Sequence, residues 1–168
     1  MASYSVHYKF SIHFKFPAKE AYRWCTDFQA GDIALMNEKG RRHVRRINED
    51  TLILTDTVIS EGGETTKRRL VRLYPELLFW TNTRLSPDGR HSQFLYQIVP
   101  EGKGCSRLEF TGSQVYYSGE KPTAERIASM AEELSREDSR AWKALAKAME
   151  EDLDQRNIID SQRSGLDY

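Results

Sequence analysis

At 168 residues, the chain is long enough for one domain with a sizeable core and short for two. Its 25 basic and 25 acidic residues balance, which argues against a dedicated nucleic-acid-binding protein or a basic membrane-surface protein. The two cysteines, Cys25 and Cys105, lack the spacing of a zinc site or a disulfide framework, so we expect reduced thiols in a cytoplasmic protein. Because no apolar run is long enough for a signal peptide or a membrane span, we expect no membrane insertion.

The first elements predicted along the chain are a strand and two short helices. Residues 8–16 alternate, with Phe10, Ile12 and Phe14 facing one way and polar side chains facing the other, which predicts a half-buried strand. Pro17 ends this strand and begins a short helix over residues 18–27. A second short helix is predicted around residues 32–36, and the two helices would close one end of a curved sheet.

Residues 40–117 predict a meander of six antiparallel strands whose turns set the register. The predicted turns are Asn48-Glu49-Asp50, Gly62-Gly63, Pro75-Glu76, Ser86-Pro87-Asp88-Gly89 and Gly102-Lys103-Gly104. Counting back from these turns gives a self-consistent set of cross-strand pairs on one apolar, aromatic face. The predicted pairs are Leu54 with Val71, Asp56 with Arg69, Val71 with Trp80, Arg69 with Asn82, Trp80 with Tyr96, Asn82 with Phe94, and Tyr96 with Phe110.

A long helix is predicted over residues 122–155, where apolar side chains recur at helical spacing. Asp138 interrupts this stripe, so it is either a carboxylate lying over a pocket or the mark of a kink or exposed break. The rarity of inward acidic residues favours the second interpretation. We expect a single domain over residues 1–157 and a flexible tail over residues 158–168.

The order of one strand, two short helices, a meander and a long C-terminal helix resembles the START/Bet v 1-like (SRPBCC) superfamily, including polyketide cyclase/dehydrase-like proteins. The matching segments are FSIHFKFPAKEAYRWCTDF, VRLYPELLFW and GCSRLEF. The resemblance implies an α+β helix-grip fold, in which a curved antiparallel sheet of about seven strands wraps around the long helix. It also implies a cavity between helix and sheet for a hydrophobic or amphipathic ligand, while a minority of such proteins catalyse cyclisation or dehydration.

Polar side chains on the predicted inner face define a candidate site. Asp56, Arg69 and Asn82 are predicted to be neighbours across three strands, and the side chain of Arg42 could approach Asp56. They form either a polar anchor, with Arg69 donating to a carboxylate or phenolate, or a salt bridge at the rim of the sheet. The candidate ligand-binding residues are Asp56, Arg69, Trp80, Asn82, Phe94, Tyr96, Gln114, Tyr116, Met130 and Leu134.

Three function hypotheses follow. The first is a non-catalytic binder or carrier of a small hydrophobic or amphipathic molecule. The second is a cofactor-free cyclase or dehydratase acting on a polyketide-like or aromatic substrate, with Tyr96, Asp56 and Arg69 as candidate acid–base and anion-stabilising groups. The third, a protein-interaction module, has no positive support in the sequence. We expect no cofactor, metal or nucleic-acid partner, and a monomer or weak homodimer.

Overall fold

The computed structural model describes residues 2–85 and 91–164. The predicted turn at Ser86-Pro87-Asp88-Gly89 and the last residues of the predicted tail, 165–168, therefore lie outside the described residues. Within the described ranges, the elements in chain order are β1 (Ala2–Phe14), α1 (Ala18–Cys25), α2 (Asp32–Leu35), β2 (Gly40–Asn48), β3 (Thr51–Ser60), β4 (Gly63–Tyr74), β5 (Phe79–Arg84), β6 (His91–Glu101), β7 (Cys105–Ser118) and α3 (Ala124–Ser164).

The strands form one antiparallel sheet in the order β1-β7-β6-β5-β4-β3-β2. Its inner face packs against α3, which lies mainly over β1, while α1 packs near β6 and β7 at one end. The core between sheet and helices includes Leu52, Val71, Ile98 and Leu108 from the sheet and Met149 from α3. A seven-stranded curved sheet holding one long helix is the predicted helix-grip fold, which is confirmed.

The hairpin between β3 and β4 is offset by two residues from the prediction. Asp56 lies opposite Lys67 instead of Arg69, and Leu54 lies opposite Arg69 instead of Val71. The turn forms one residue earlier than the predicted glycine pair. A shift of two residues keeps every side chain on its predicted face, because alternate residues of a strand point the same way.

The connection between β4 and β5 causes a second offset of two residues. Val71 lies opposite Asn82 instead of Trp80. A 3-10 turn, Pro75–Leu77, and Leu78 in the left-handed conformation with φ 49° make the loop longer than a two-residue turn. Trp80 is nevertheless inward and only 1% exposed, as predicted.

The pairings predicted across the two longer turns are confirmed: Trp80 with Tyr96, Asn82 with Phe94, and Tyr96 with Phe110. These pairs place the polar end of β5 and the aromatic residues of β6 and β7 on the inner face. The strands that supply most of the candidate site are therefore in the predicted register relative to one another.

Both ends of the fold extend further than predicted. β1 begins at Ala2, so Val6 and Tyr8 continue the buried side of the strand before residue 10. The helix α3 does not end near Gln155 but continues to Ser164. None of the helices in the described parts of the chain is long and apolar enough to cross a membrane.

Candidate ligand-binding site

A cavity of about 100 Å³ lies between the inner face of the sheet and α3, with α1 and the residues after it at one end. All three tryptophans of the chain, Trp24, Trp80 and Trp142, line it. They come from α1, β5 and α3, so the three layers around the cavity each supply one indole ring. The other lining residues are Cys25, Phe28, Asp32, Met36, Arg42, Leu54, Arg69, Asn82, Tyr96, Ala141 and Leu145.

The cavity has an ordered aromatic wall. Trp80 and Tyr96 are opposite each other in the sheet, and their rings stack with centroids 4.7 Å apart and planes inclined by 1°. Trp142 descends from α3 onto this pair, with its centroid 6.2 Å from Trp80 and 5.5 Å from Tyr96. Offset and tilted ring pairs of this kind contribute packing energy beyond the area they bury. The wall is thus built for an apolar or aromatic ligand.

A larger groove of about 380 Å³, which shares Trp24 and Asp32 with this cavity, lies between the α1–α2 segment and α3. It is open to solvent and lined by carboxylates that include Asp27, Glu151 and Asp152, and Arg156 bonds Asp152 within it. Within residues 2–85 and 91–164, no three His, Cys, Asp or Glu side chains are grouped so as to hold a metal ion. We place the candidate site in the smaller cavity, because it is less open to solvent and has aromatic walls.

A buried ion-pair network forms the polar side of the cavity. Arg42 donates from Nε and Nη2 to the two carboxylate oxygens of Asp56 at 2.7 and 2.9 Å, and from Nη1 to Asp32 at 3.0 Å. Arg69 also donates to Asp56. The side chains of Arg42 and Asp56 are 6% and 4% exposed. The predicted approach of Arg42 to Asp56 is confirmed, and the network is a buried structure and not a salt bridge at the rim.

The network fixes the charge state of its central carboxylate. Burial alone would raise the pKa of Asp56, but the hydrogen bonds from Arg42 and the charge of Arg69 outweigh it and hold the pKa below its ordinary value. Burial also lowers the pKa of Arg42, yet its bonds to Asp56 and Asp32 raise it further than burial lowers it. Asp56 is therefore ionised and fully engaged, so it is not available as a general acid or base.

Two buried polar atoms beside the network lack partners. Among the residues that the structure describes, neither Arg69 Nε nor Asn82 Oδ1 has a hydrogen-bond partner. Asn82 is 4% exposed, and its amide hydrogen-bonds the hydroxyl of Tyr96. Burial raises the pKa of Tyr96, and the charge of Arg69 offsets only part of that rise, so Tyr96 is protonated at neutral pH. One buried donor and one buried acceptor are thus unsatisfied beside the network.

A second polar cluster lies further along β1 and α3. The hydroxyl of Tyr8 donates to Asp138 Oδ2 at 2.5 Å, and Gln114 Nε2 donates to the Tyr8 oxygen at 3.4 Å. The hydroxyl of Tyr116 donates to Gln114 Oε1 at 2.8 Å. The helix α3 continues through Asp138, and the carboxylate is half-buried and accepts from Tyr8, so the interpretation as an exposed break is wrong. Asp138 instead faces the sheet.

The surroundings of this second cluster shift the pKa values of its titratable groups. Burial raises the pKa of Asp138, and the hydrogen bond from Tyr8 lowers it again only in part. Burial and the neighbouring charge of Asp138 raise the pKa of Tyr8. Tyr8 is therefore a fixed hydrogen-bond donor, and Asp138 is a carboxylate whose charge is costly where it lies.

Gly112 explains how Tyr8 reaches this position. The glycine lies opposite Tyr8 in the sheet, and the tyrosine ring packs flat over it. A Cβ at Gly112 would lie 2.6 and 2.7 Å from two ring atoms of Tyr8 and 3.0 Å from Phe110. The space that Gly112 leaves is thus taken by an aromatic side chain of the adjacent strand, an arrangement that also stabilises the glycine.

Replacing Gly112 by alanine is expected to lower the free energy of unfolding by about 1–3 kcal/mol, because the Tyr8 ring must move and release Asp138. Urea titration of the purified variants measures this change. Gly119→Ala is the matched control, since no described atom lies within 4 Å of a Cβ added there. Equal losses in the two variants would mean that Gly112 is not needed for the packing of Tyr8.

The structure divides the predicted site residues into two groups. Arg69, Trp80, Asn82 and Tyr96 line the cavity, and Asp56 lies directly behind Arg69. The remaining five lie elsewhere on the inner face or on α3: Phe94 stacks on Phe110, Gln114 and Tyr116 belong to the Tyr8 cluster, Leu134 packs on the core and Met130 is half-buried.

Several cavity residues were not predicted as site residues. Trp24 and Phe28 lie in and after α1, and Trp142 and Leu145 lie on the stripe of α3 that was predicted only as core. Tyr8 has the same parity along β1 as Phe10, so the alternation of that strand already placed it inward. What the sequence lacked was any signal that these elements converge on one cavity.

The comparisons with known proteins agree on the fold. The crystal structure of the Zhui aromatase/cyclase from Streptomyces sp. R1128 is similar with a TM-score of 0.71 at 14% identity, covering 88% of this chain and 94% of that one. A START superfamily protein from Mycobacterium smegmatis is similar with a TM-score of 0.64 at 16% identity, covering 87% of this chain and 98% of that one. Truncated norcoclaurine synthase from Thalictrum flavum is similar with a TM-score of 0.65 at 10% identity, covering 88% of this chain and 95% of that one. No protein-family model matches the chain, and no curated protein matches its sequence.

The fold and the cavity define a helix-grip protein with an aromatic pocket between sheet and helix. The fold is that of the START/Bet v 1-like (SRPBCC) superfamily, as the resemblance of the sequence implied. Because all three matches are at low identity, they establish the fold and leave the activity to be argued from the site.

Proposed function

We propose that the protein binds a small hydrophobic or amphipathic molecule in the cavity between the sheet and α3. The observation that carries the proposal is the aromatic wall of Trp80, Tyr96 and Trp142, with the polar side chains of Arg69 and Asn82 in the same cavity lining. An apolar pocket with a few convergent polar groups is the usual form of a small-molecule site.

The size of the cavity limits the ligand. A dry apolar cavity of roughly 150 Å³ is enough to hold benzene. The cavity here, about 100 Å³, suits at most one small ring without rearrangement. A larger ligand requires the side chain of Trp142 or Leu145 on α3 to move.

The proposal places this binding protein in the cytoplasm, as a monomer or weak homodimer that does not bind nucleic acid. The balanced charge of the chain and its two free cysteines, Cys25 and Cys105, support this part of the proposal.

A titration with apolar probes tests the site. The indole N–H signals of Trp80 and Trp142 in NMR spectra report on the cavity, whereas the indole of Trp24 donates to Asp152 of the neighbouring groove. Toluene is expected to shift the Trp80 and Trp142 signals in the wild-type protein. Leu145→Ala removes three carbon atoms from the cavity wall, so it is expected to tighten naphthalene binding by about tenfold or more.

Lys143→Ala, an exposed position of the same helix, is the control and is expected to leave both affinities unchanged. If neither toluene nor naphthalene shifts the indole signals in wild type or in Leu145→Ala, the cavity is not a ligand site. Native mass spectrometry of protein purified from its own host would then show whether any small molecule accompanies it.

A cofactor-free cyclase or dehydratase is the second candidate. It is favoured by the protonated hydroxyl of Tyr96 and the charged side chain of Arg69, two residues that line the same cavity. The hydroxyl of Tyr96 can donate a hydrogen bond to a substrate carbonyl, and the charge of Arg69 can stabilise a developing oxyanion. Asp56 has no part in this chemistry because both its oxygens accept from arginines. Dehydration of an aryl β-hydroxy ketone by the protein, followed by mass spectrometry, distinguishes an enzyme from a binder.

A further inference from the structure

The strand β2 forms an open edge of the sheet, because among the described strands it pairs with β3 alone. Ile59 N–H donates to the carbonyl of Lys39, which fixes the backbone groups that face β3 at that point. In an antiparallel ladder, successive residues direct their backbone groups alternately to the two sides of the strand. The β2 residues whose N–H and C=O groups therefore point to the open edge are Arg42, Val44 and Arg46.

No backbone group of another element occupies this edge. In residues 2–85 and 91–164, no backbone hydrogen bond outside the sheet reaches Arg42, Val44 or Arg46. The short helix α2 contacts β2, but its Asp32 bonds the inward side chain of Arg42 and not the backbone of the strand. A row of N–H and C=O groups without strand partners is a template for an added strand.

The side chains of β2 give this edge a strong positive charge. Its sequence, GRRHVRRIN, contains four arginines and one histidine and no acidic residue. Arg41, His43 and Arg45 are exposed on the outer face of the sheet. Arg41 bonds the exposed Glu64, whereas Arg45 and Arg46 have no ion-pair partner in the part of the chain that the structure describes. Positive charge therefore remains uncompensated along the open edge.

These charges decide which kind of strand can be added. A second copy of β2 would bring cation opposite cation, and like charges directly opposite each other destabilise a strand pair. An acidic strand would instead place a carboxylate opposite each outward cation. Val44 is half-buried, points inward and packs against the core, so the position opposite it suits an apolar side chain.

We propose that the β2 edge binds an extended acidic segment of another protein, which joins the sheet as an antiparallel strand next to β2. In that segment, acidic residues lie opposite His43 and Arg45, and an apolar residue lies opposite Val44. Main-chain hydrogen bonds supply affinity, and the alternation of acidic and apolar side chains supplies specificity. The outward cations lie on the face of the sheet opposite the ligand cavity, so this interaction does not depend on the proposed binding function.

A seven-residue peptide with blocked termini, Glu-Thr-Glu-Val-Glu-Thr-Glu, tests the proposal on the wild-type protein. Its sequence reads the same in both directions, so either orientation offers the valine to Val44 and glutamates to its neighbours. Binding is followed by backbone amide NMR signals in low-salt buffer, and the largest shifts are expected at Arg42, Val44 and Arg46. The peptide with lysine in place of glutamate is expected to bind at least about tenfold more weakly.

Methylation of single peptide nitrogens separates strand addition from simple charge attraction. In an antiparallel pair centred on Val44, the N–H group of the peptide valine faces β2, and that of the next glutamate faces away. A methyl group on the valine nitrogen is therefore expected to weaken binding by about tenfold or more. The same methyl group on the glutamate nitrogen is expected to change the affinity by about threefold or less.

A charge reversal in the protein gives an independent test. Arg45→Glu places a carboxylate opposite a peptide glutamate and is expected to weaken binding by about tenfold. Arg136→Glu is the matched control, because it makes the same change at an exposed position of α3, which lies mainly over the other edge strand, β1. It is expected to leave the affinity within about twofold of wild type.

Several outcomes would overturn the proposal. Undiminished binding of the peptide methylated at valine would show charge attraction without strand addition. Equal binding of the lysine peptide, equal effects of Arg45→Glu and Arg136→Glu, or no shift of the three edge amides would contradict an acidic strand at β2. Tighter binding of duplex DNA or of phosphatidylserine vesicles than of the glutamate peptide would assign these cations to a phosphate surface instead.

Discussion

Replacing Arg42 by methionine is expected to lower the free energy of unfolding by about 3–5 kcal/mol, the usual cost of removing one partner from a buried ion pair. Arg42 supplies two of the hydrogen bonds to Asp56 and one to Asp32. Without it, the carboxylate of Asp56 keeps the bond from Arg69 and loses its other arginine partner, although Asp56 lies in the core, where it is 3% exposed in the wild-type protein. Urea unfolding followed by tryptophan fluorescence measures the loss.

Arg41→Met is the matched control for this experiment. Arg41 is the preceding residue of the same strand, but its side chain is 67% exposed and bonds Glu64, which is 55% exposed. Such a surface pair contributes at most about 1 kcal/mol, so the same substitution is expected to have little effect there. Similar losses at both positions would show that the Arg42 network is not the buried structure described above.

Met149→Ala is expected to cost about 2–5 kcal/mol, because it leaves a cavity where α3 is held against the sheet. Met149 is 0% exposed and belongs to the central core cluster. Thermal or urea unfolding of the purified variant tests this value.

Lys147→Ala serves as the control on the same helix, since the Lys147 side chain is 79% exposed and only 4.0 Å from Glu151 as an ion pair. Its expected effect is within about 0.5 kcal/mol. A loss below about 1 kcal/mol for Met149→Ala would mean that α3 is held mainly by other contacts.

Much of the fold could be predicted because strand alternation and turn residues are local signals. They placed Asp56, Arg69, Trp80, Asn82 and Tyr96 on one face correctly. They did not fix the pairing of β3 with β4 or of β4 with β5, because turn length depends on backbone geometry that residue types only suggest. An error of two residues exchanges neighbours while it preserves the face, so the site residues remained inward.

The role of Asp138 could not be predicted in the same way. When an acidic residue interrupts an apolar stripe of a helix, the local sequence suggests either that the position is exposed or that the helix is kinked. The spacing of residues alone does not indicate a buried partner. Its partner Tyr8 is 130 residues away in the chain and reaches it only because Gly112 leaves space for the ring. Such long-range pairs depend on tertiary packing, which a local pattern does not contain.

The burial of the ion-pair network could not be predicted from the sequence either. The sequence predicted that Asp56, Arg69 and Arg42 could meet, but it could not decide whether they meet at the rim or in the interior. Asp32, contributed by α2, completes the network. No pattern in the sequence pairs this short helix with β2 or β3. Burial depends on how the sheet and the helices pack together. In this protein that packing places the pair of Arg42 and Asp56 in the interior, beside the cavity, and not at the surface.

The position of β1 in the sheet also has a consequence for how the chain is made. Among the described strands β1 pairs with β7 alone, and α3 covers it, so both of these partners lie in the second half of the sequence. Its apolar side, with Val6, Tyr8, Ile12 and Phe14, must remain uncovered until the ribosome has released residues 105–118 and the helix that follows. Contacts so distant in sequence slow folding and leave a strand open to wrong pairing in the meantime. Because α3 also supplies Trp142 and Leu145 of the cavity lining, the cavity too is completed late in the synthesis of the chain.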